Sequence, residues 1–217
     1  MISENERDPR ELVQPIILRI DKQDPPSAEE AISAVARAAV LAYLSAPQDE
    51  RWKLWAQQAF AKSVRRANPK FFARVLEETE HGMISEVGKA QAVGLLPLPS
   101  AGLPKLIAKL QVSGTQLEPD EQGLRAPVTI ALNLSLGMST GKAAAQAAHA
   151  LFAWLTEAPA PQVEAWLKEH APVGVVWLER REFAAVASRA VGPVIQDAGR
   201  TEIEPGSSTA YVLQTEA

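Results

Sequence analysis

Apolar residues occupy every second position of residues 128–134, a pattern that predicts a β-strand. After Gly141 the pattern changes to that of a helix, because six of the eight residues from 143 to 150 are alanine. The polar side chains Lys142, Gln146 and His149 recur at helical spacing and therefore share one face. A strand, a glycine-containing turn and a lysine at a helix start make a candidate anion site.

The same patterns predict the elements of the first half. Residues 12–20 form a predicted strand. Pro15 suggests an edge position or a late start of the strand, because proline cannot donate to a ladder. Ser27 is a candidate helix N-cap, with Glu30 as its capping-box partner. The other predicted elements are a helix through Trp52, Trp55 and Phe60, a hairpin within 82–98 and a helix at 103–110.

The second half continues with a helix at 162–170, a strand at 173–178, a helix at 180–190 and strands at 194–196 and 209–213. The order β-α-α-β-α-β-β predicts an α/β fold, a small mixed β-sheet with helices packed on it. Ligands of such sheets bind beyond the carboxyl ends of the strands. We therefore expect the turn before Lys142 and the segment around Asp197 to meet at one edge.

Three segments are expected along the chain. Residues 1–112 form an α+β N-terminal domain of unknown role, residues 113–126 a polar linker with Gly and Pro, and residues 127–217 a second domain. Both halves run from a strand through an alanine-rich helix and a Trp-containing helix to β-rich material. This outline raises the hypothesis that the first half is a decayed repeat of the same unit.

Composition bounds the class of protein. Hydrophobic residues at 47% and charged residues at 22% are typical of globular proteins. The chain has no cysteine, which excludes disulfides and thiolate metal sites and fits a reducing compartment. We find no signal-peptide core and no apolar run of bilayer length, so we expect a cytoplasmic protein without a membrane partner. A net charge of −4 argues mildly against nucleic acid, although a local patch decides such binding.

A basic run lies between Lys62 and Arg74, with Phe71 and Phe72 inside it and no acidic residue. Its basic residues are Lys62, Arg65, Arg66, Lys70 and Arg74. One interpretation is contact with RNA phosphates and stacking on bases. The other, which we favour, is that the phenylalanines are core residues and the charges form a solvated face.

Two motifs in the second half carry a family resemblance. The first comprises Met138, Ser139, Gly141, Lys142, Ala144, Ala145, Gln146, His149 and Ala150. The second comprises residues 197–201, Ile203, residues 205–207 and Thr209. In this order and at this separation they resemble the M-S/G-x-G-K-x-A-A-Q-x-x-H-A and D-A-G-x-T-x-I-x-P-G-S-x-T elements of the type-2 peptidyl-tRNA hydrolase family. The resemblance covers about residues 127–213.

The resemblance implies hydrolysis of the ester between a peptide and the 3′ end of tRNA, with peptidyl-tRNA as partner and no cofactor or metal. It implies that Lys142, Asp197 and Thr201 are catalytic. It implies substrate binding by Gly141, Gln146, His149, Gly199, Ser207 and Thr209. Members of the family tend to dimerise, so a homodimer is a further expectation.

The residue chemistry leaves roles open within this site. Lys142 offers positive charge for a phosphate or for an oxyanion formed from a carbonyl. Asp197 is able to orient Lys142 or to take a proton from water, or it is only a turn-forming residue. The alternative for His149 is a packed, structural role. The alternative for Thr201, Ser207 and Thr209 is that they only fill positions in strands and loops.

Several positions depart from the family pattern. Asn133 and Ser135 stand where the family usually has arginine and aspartate, and Thr140 stands where a second basic residue is frequent. Residues 123–217 hold seven Lys and Arg against nine Asp and Glu, a net charge of −2. The alternative function is therefore a catalytically inactive RNA- or protein-binding module that retains the fold.

Other chemistries fit less well. A Walker-A loop would need glycine in place of Leu136 and Ser or Thr in place of Ala143. The histidines His81, His149 and His170 lack the spacing of metal ligands, so no zinc site is expected.

Overall fold

The computed structural model describes residues 11–58, 60–120, 123–199 and 202–214. The strands are β1 (Leu12–Arg19), β2 (Ala61–Ala67), β3 (Ser85–Val87), β4 (Ala90–Gly94), β5 (Leu98–Pro99), β6 (Val128–Asn133), β7 (Val173–Leu178), β8 (Ile195–Gln196) and β9 (Ser208–Gln214). The helices are α1 (Ala28–Ser45), α2 (Glu50–Ala56), α3 (Pro69–Glu78), α4 (Lys105–Ala108), α5 (Thr140–Glu157), α6 (Ala160–Lys168) and α7 (Arg180–Val186). This mixed α/β architecture confirms the predicted fold class.

Each half of the chain forms one mixed sheet. The first sheet has the order β2-β1-β4-β3, with β5 paired to the start of β1, and the second has the order β7-β6-β9-β8. In both sheets the first strand pairs in parallel with the strand after the helices and antiparallel with the last long strand. The two halves therefore share one topology, as the hypothesis of a decayed repeat predicts.

Individual residues occupy equivalent places in the two halves. Ser27 and Ser139 cap α1 and α5, and these helices have the same length of 18 residues. Trp55 donates its indole N–H to the carbonyl of Ala61 at 2.7 Å, and Trp166 donates to Pro172 at 2.8 Å, in each case six residues ahead. These side-chain equivalents make the match closer than shared strand order alone.

The core of the protein lies between the two sheets, where α1 packs along α5. One continuous cluster of buried residues contains apolar side chains of β1, α1, β6 and α5. An aromatic group adds to it, with Phe152 of α5 making edge contacts with Tyr43 at 5.2 Å and Trp55 at 5.2 Å between ring centroids. The division into domains at residues 1–112 and 127–217 remains a proposal, because side chains of both segments belong to this core.

Local signals place α1, and a buried carboxylate ties it to the second half. Ser27 and Glu30 form the predicted capping box, which is confirmed. Glu29, which is 1% exposed, accepts the Asp120 amide at 2.7 Å and the Trp177 indole N–H at 2.8 Å. Both carboxylate oxygens are thus satisfied by groups outside the helix, one of them on β7.

Two predictions about the first half are wrong. Pro15 lies on the central strand β1, not on an edge strand. It is tolerated because it falls between the Val13–Leu98 pair with β5 and the Ile16–Gly94 pair with β4, where no ladder bond needs its N–H. Phe60 does not continue α2, since it has a positive φ of 54° after the helix ends at Ala56.

The basic run is split between different environments. Arg65 is 6% exposed and donates to the carbonyls of Ile107 at 3.1 Å and Leu110 at 3.2 Å. Lys62 is half-buried beside aromatic rings, whereas Lys70 is exposed. The interpretation as one solvated face is therefore wrong for Lys62 and Arg65, because β2 directs them into protein contacts.

No helix among the described residues combines the length and the apolar character that crossing a membrane requires.

Glu29→Gln is expected to lower the free energy of unfolding by about 1–3 kcal/mol. Both side-chain oxygens of Glu29 face hydrogen-bond donors. The NH2 group that glutamine introduces must therefore face one of these donors and cannot accept its hydrogen bond. Urea unfolding monitored by tryptophan fluorescence measures the change. Glu77→Gln, at an exposed position of α3, is the control and should stay within about 0.5 kcal/mol of the unsubstituted protein. Equal stability of both variants would contradict the role of Glu29 as a link between the halves.

Candidate active site

The start of α5 is held by side chains from two segments. Ser139 caps the helix by accepting the Lys142 amide at 3.2 Å. Glu202 accepts the Ser139 amide at 3.0 Å and the Ser139 hydroxyl at 2.7 Å. In α1 the amide of the N-cap residue Ser27 is instead accepted by Glu30 at 3.0 Å. Because Glu202 supplies this carboxylate from a distant segment, the third position of α5 is open to a lysine.

Asp197 follows β8 and is held by its backbone. Its amide donates to the carbonyl of Ser207 at 2.9 Å, and its carbonyl accepts the Gly206 amide at 2.8 Å. Gly199 donates its amide to Asp197 Oδ1 at 2.8 Å from a left-handed conformation with φ of 71°. A Cβ at Gly199 would collide with Pro205, so glycine is required for this turn.

Lys142 and Asp197 form a buried ion pair. Lys142 Nζ donates to Asp197 Oδ2, and the side chains are 10% and 3% exposed. The pair brings the turn after β6 together with the segment after β8, which confirms that the two motifs meet at one edge of the sheet. A charge pair in so little water is strong only when the remaining lone pairs are also satisfied.

Gln146 and Thr209 extend the network in one direction. Gln146 Nε2 donates to Asp197 Oδ2 at 2.8 Å, which fixes the orientation of the amide because an ionised carboxylate only accepts. Gln146 Oε1 therefore accepts from the Thr209 hydroxyl at 2.8 Å. Thr209 is fully buried on β9, so its position is set by the sheet. Asp197 thus accepts from Lys142, Gln146 and Gly199. The Gly199 bond is the turn contact that the alternative role predicts, and the other two bonds are additional to it.

His149 lies one helical step beyond Gln146 and contacts the first half. Its Nδ1 is 3.3 Å from Lys62 Nζ, and its ring is 5.6 Å from that of Phe60. Burial, together with the charges of Lys62 and Lys142, holds the pKa of His149 well below its usual range. His149 is therefore a neutral imidazole near pH 7.

The other predicted site residues have different outcomes. Gly141 donates its amide to the carbonyl of Thr115 at 3.2 Å, so it contacts the segment that joins the halves. Ser207 contributes its backbone carbonyl to Asp197. Thr201 lies outside the described residues, and its assignment as catalytic stays a prediction.

Some contacts are not visible in the sequence. Glu202 occupies a variable position of the second motif, and Lys62 belongs to the basic run. Asn133, which departs from the family pattern, donates to the carbonyl of Ser208 at 3.0 Å and accepts the Ser135 amide at 3.2 Å. Within the described ranges, no group of three or more His, Asp or Glu side chains is arranged to hold a metal ion.

An α/β sheet with a buried Lys–Asp pair at its carboxyl edge defines a polar class of candidate site. The sequence profile of the family described as peptidyl-tRNA hydrolase PTH2 matches residues 127–216. A peptidyl-tRNA hydrolase of Aeropyrum pernix is 36% identical over 97 residues, an alignment that covers 39% of this chain and 78% of the relative. The chain belongs to the peptidyl-tRNA hydrolase PTH2 family, and the resemblance inferred from the two motifs is confirmed.

Thr209→Val is expected to destabilise the protein by about 1–3 kcal/mol, because it leaves Gln146 Oε1 buried without this donor. Valine keeps the shape of threonine, so packing is preserved and the hydroxyl alone is tested. Chemical denaturation measures the effect. Thr156→Val, at an exposed position of α5, is the matched control. A Thr209→Val protein as stable as the control would mean that the Gln146 orientation does not depend on Thr209.

Proposed function

We propose that this protein hydrolyses the ester bond between a peptide, or another N-blocked aminoacyl group, and the 3′ end of tRNA. The products are a free peptide carboxylate and tRNA with a free terminal hydroxyl. The buried Lys142–Asp197 pair is the observation that carries the proposal. Membership of the PTH2 family and the similarity to the Aeropyrum pernix peptidyl-tRNA hydrolase support it.

Lys142 is assigned the role of stabilising negative charge. Attack of water on the ester carbonyl moves charge onto the carbonyl oxygen, and a preorganised cation lowers the energy of that state. The ammonium of Lys142 is held in place by Asp197 at little cost in side-chain entropy at the moment of reaction. Its low exposure strengthens the interaction, because water screens it weakly.

Asp197 is assigned the role of orienting Lys142 rather than that of a general base. Its Oδ2 accepts from Lys142 and Gln146, and its Oδ1 accepts from the Gly199 amide. These three hydrogen bonds already occupy both carboxylate oxygens, so little of the group is left to face an attacking water. This favours the first of the two roles that the residue types left open.

The tRNA is proposed to approach the carboxyl edge of the second sheet. Arg180 and Arg181 are exposed at the start of α7, directly after β7, at the same edge as the turn that leads to Lys142. Exposed arginines at this edge suit contact with backbone phosphates, which supply most of the affinity for nucleic acid. They place exposed positive charge at this edge, between Glu179 and Glu182.

We further propose that the protein acts in the cytoplasm, where peptidyl-tRNA is produced by translation. We also propose that the protein forms a homodimer only through surfaces other than the apolar face of α5. Within one chain, α1 of the first half already packs on that face.

Lys142→Ala is expected to lower the single-turnover rate constant for release of an N-acetylaminoacyl group from tRNA by roughly 10²–10³-fold, since it removes the oxyanion-stabilising charge. Asp197→Asn should also lose activity sharply, because the lysine is no longer held. The two residues act as a unit, so the double variant should be little worse than the poorer single variant. Single-turnover release of labelled acyl group is the measurement.

Lys168→Ala is the matched control, since it removes an exposed lysine from the same half. Circular dichroism and urea unfolding must accompany the kinetics, because breaking a buried ion pair is itself destabilising. Full turnover by a folded Lys142→Ala protein would refute the site. Tight tRNA binding without turnover by the unsubstituted protein would favour the inactive binding module.

Arg180→Gln and Arg181→Gln are expected to weaken tRNA binding and to flatten its salt dependence. Removal of each phosphate contact should reduce the slope of log affinity against log salt by about 0.7 to 0.9. Filter binding of deacylated tRNA between low and moderate salt measures the slope. Arg189→Gln, an exposed position after α7, serves as control. An unchanged slope in the Arg180 and Arg181 variants would place the tRNA on another surface.

A further inference from the structure

Lys62 reaches from β2 of the first half to the site helix of the second. Its ammonium nitrogen lies over the rings of Phe60, Trp55 and Phe152, at 3.9, 4.4 and 5.0 Å from their centroids. The same nitrogen is 3.3 Å from His149 Nδ1. One side chain therefore joins an aromatic group from both halves to the polar face of α5.

This environment is an unfavourable one for a lysine whose only purpose is packing. Burial lowers the pKa of Lys62 well below its ordinary range, since the charged form loses hydration. Cation–π attraction to the ring faces offsets part of the lost hydration free energy. A methionine would fill the same space without desolvating a charge. The hydrogen bond to His149 is what lysine adds.

The contact determines which nitrogen of His149 carries the proton. In its ammonium form, which the three ring faces favour, Lys62 has only donors, so Nδ1 accepts from it. The proton of the neutral imidazole then sits on Nε2, which becomes a fixed N–H donor. His149 shares a helix face with Lys142 and Gln146, the two residues that bind Asp197.

We propose that Lys62 is a positioning residue for His149, and that the first half thereby completes the substrate-binding face of α5. Nε2–H of His149 donates to an acceptor oxygen at the peptidyl 3′ end of tRNA. The inference rests on the proposed function and names a role for the first half within it. Lys62 itself does not touch the substrate.

The pH dependence follows from the charges that face His149. Lys62 acts on it from β2 and Lys142 from its own helix, and both disfavour the imidazolium form, as does burial. Asp197, on the segment after β8, is paired with Lys142 and accepts a hydrogen bond from Gln146. The productive form is the neutral imidazole. Activity that depends on it is retained above the lowered pKa and lost as pH falls through it.

Lys62→Met tests the proposal, because methionine fills the aromatic surroundings and removes only the donor and its charge. We expect kcat/KM for peptidyl-tRNA to fall about three- to tenfold at neutral pH, as for removal of one hydrogen bond. The acid limb of the pH profile should move to higher pH, because one cause of the depressed His149 pKa is gone. Lys53→Met, on the exposed side of α2, should change neither quantity.

A double-variant cycle separates positioning from a merely structural role. If Lys62 acts through His149, adding Lys62→Met to His149→Phe should cause little further loss, whereas independent effects would multiply. Unchanged kcat/KM and an unchanged acid limb in folded Lys62→Met would overturn the proposal. Multiplying effects would do the same.

The tautomer of His149 can be measured directly in the unsubstituted protein, without a variant and without an activity assay. ¹⁵N nuclear magnetic resonance of the His149 ring should show protonation at Nε2, an unprotonated Nδ1 and a pKa well below 6.5. A proton on Nδ1 would overturn the inference. Absence of peptidyl-tRNA turnover by the unsubstituted protein would instead refute the proposed function, while the spectrum would still decide whether Lys62 sets the tautomer.

Discussion

The close approach of α1 and α5 depends on alanine side chains, and the remainder of the structure is arranged around it. The buried alanines are 28, 31, 34, 36, 38, 39 and 42 on α1 and 143, 144, 147, 148 and 150 on α5. Small side chains let two helices lie between two sheets within a single core, where larger ones would separate the halves. The same approach brings β2 near α5, which is how Lys62 comes to lie against His149.

The two halves use one helix position for opposite purposes. Glu30 and Lys142 are both the third residue of their helices, after the caps Ser27 and Ser139. In the first half the glutamate closes the capping box. In the second half Glu202 satisfies the cap from outside, and the position carries the ammonium that pairs with Asp197. The third helix position thus makes a local cap interaction in the first half and an ion pair with a distant segment in the second.

Much of the fold could be predicted because its signals are local. Strand alternation, alanine content and the Ser27–Glu30 spacing each act over a few residues, and the predicted order of elements in the second half is confirmed. The Lys142–Asp197 pairing was also accessible, since both follow strands at one sheet edge. The partner of His149 was not, because Lys62 is 87 residues away in sequence and lies within a charge pattern typical of a surface. The edge position predicted from Pro15 was wrong for a related reason, because its neighbours in the sheet come from two different strands.

The tandem arrangement has a consequence for how the two units change. In a symmetric homodimer every substitution appears twice, so a residue that supports the partner's site must also be tolerated beside its own. Here the units are encoded separately, and each position is free to vary alone. Lys62 can therefore be retained for its contact with α5, even if a lysine at the equivalent position of β7 would be unfavourable. Here Lys62 of the first half contacts the helix of the second that carries Lys142, and no symmetry requires the reverse contact.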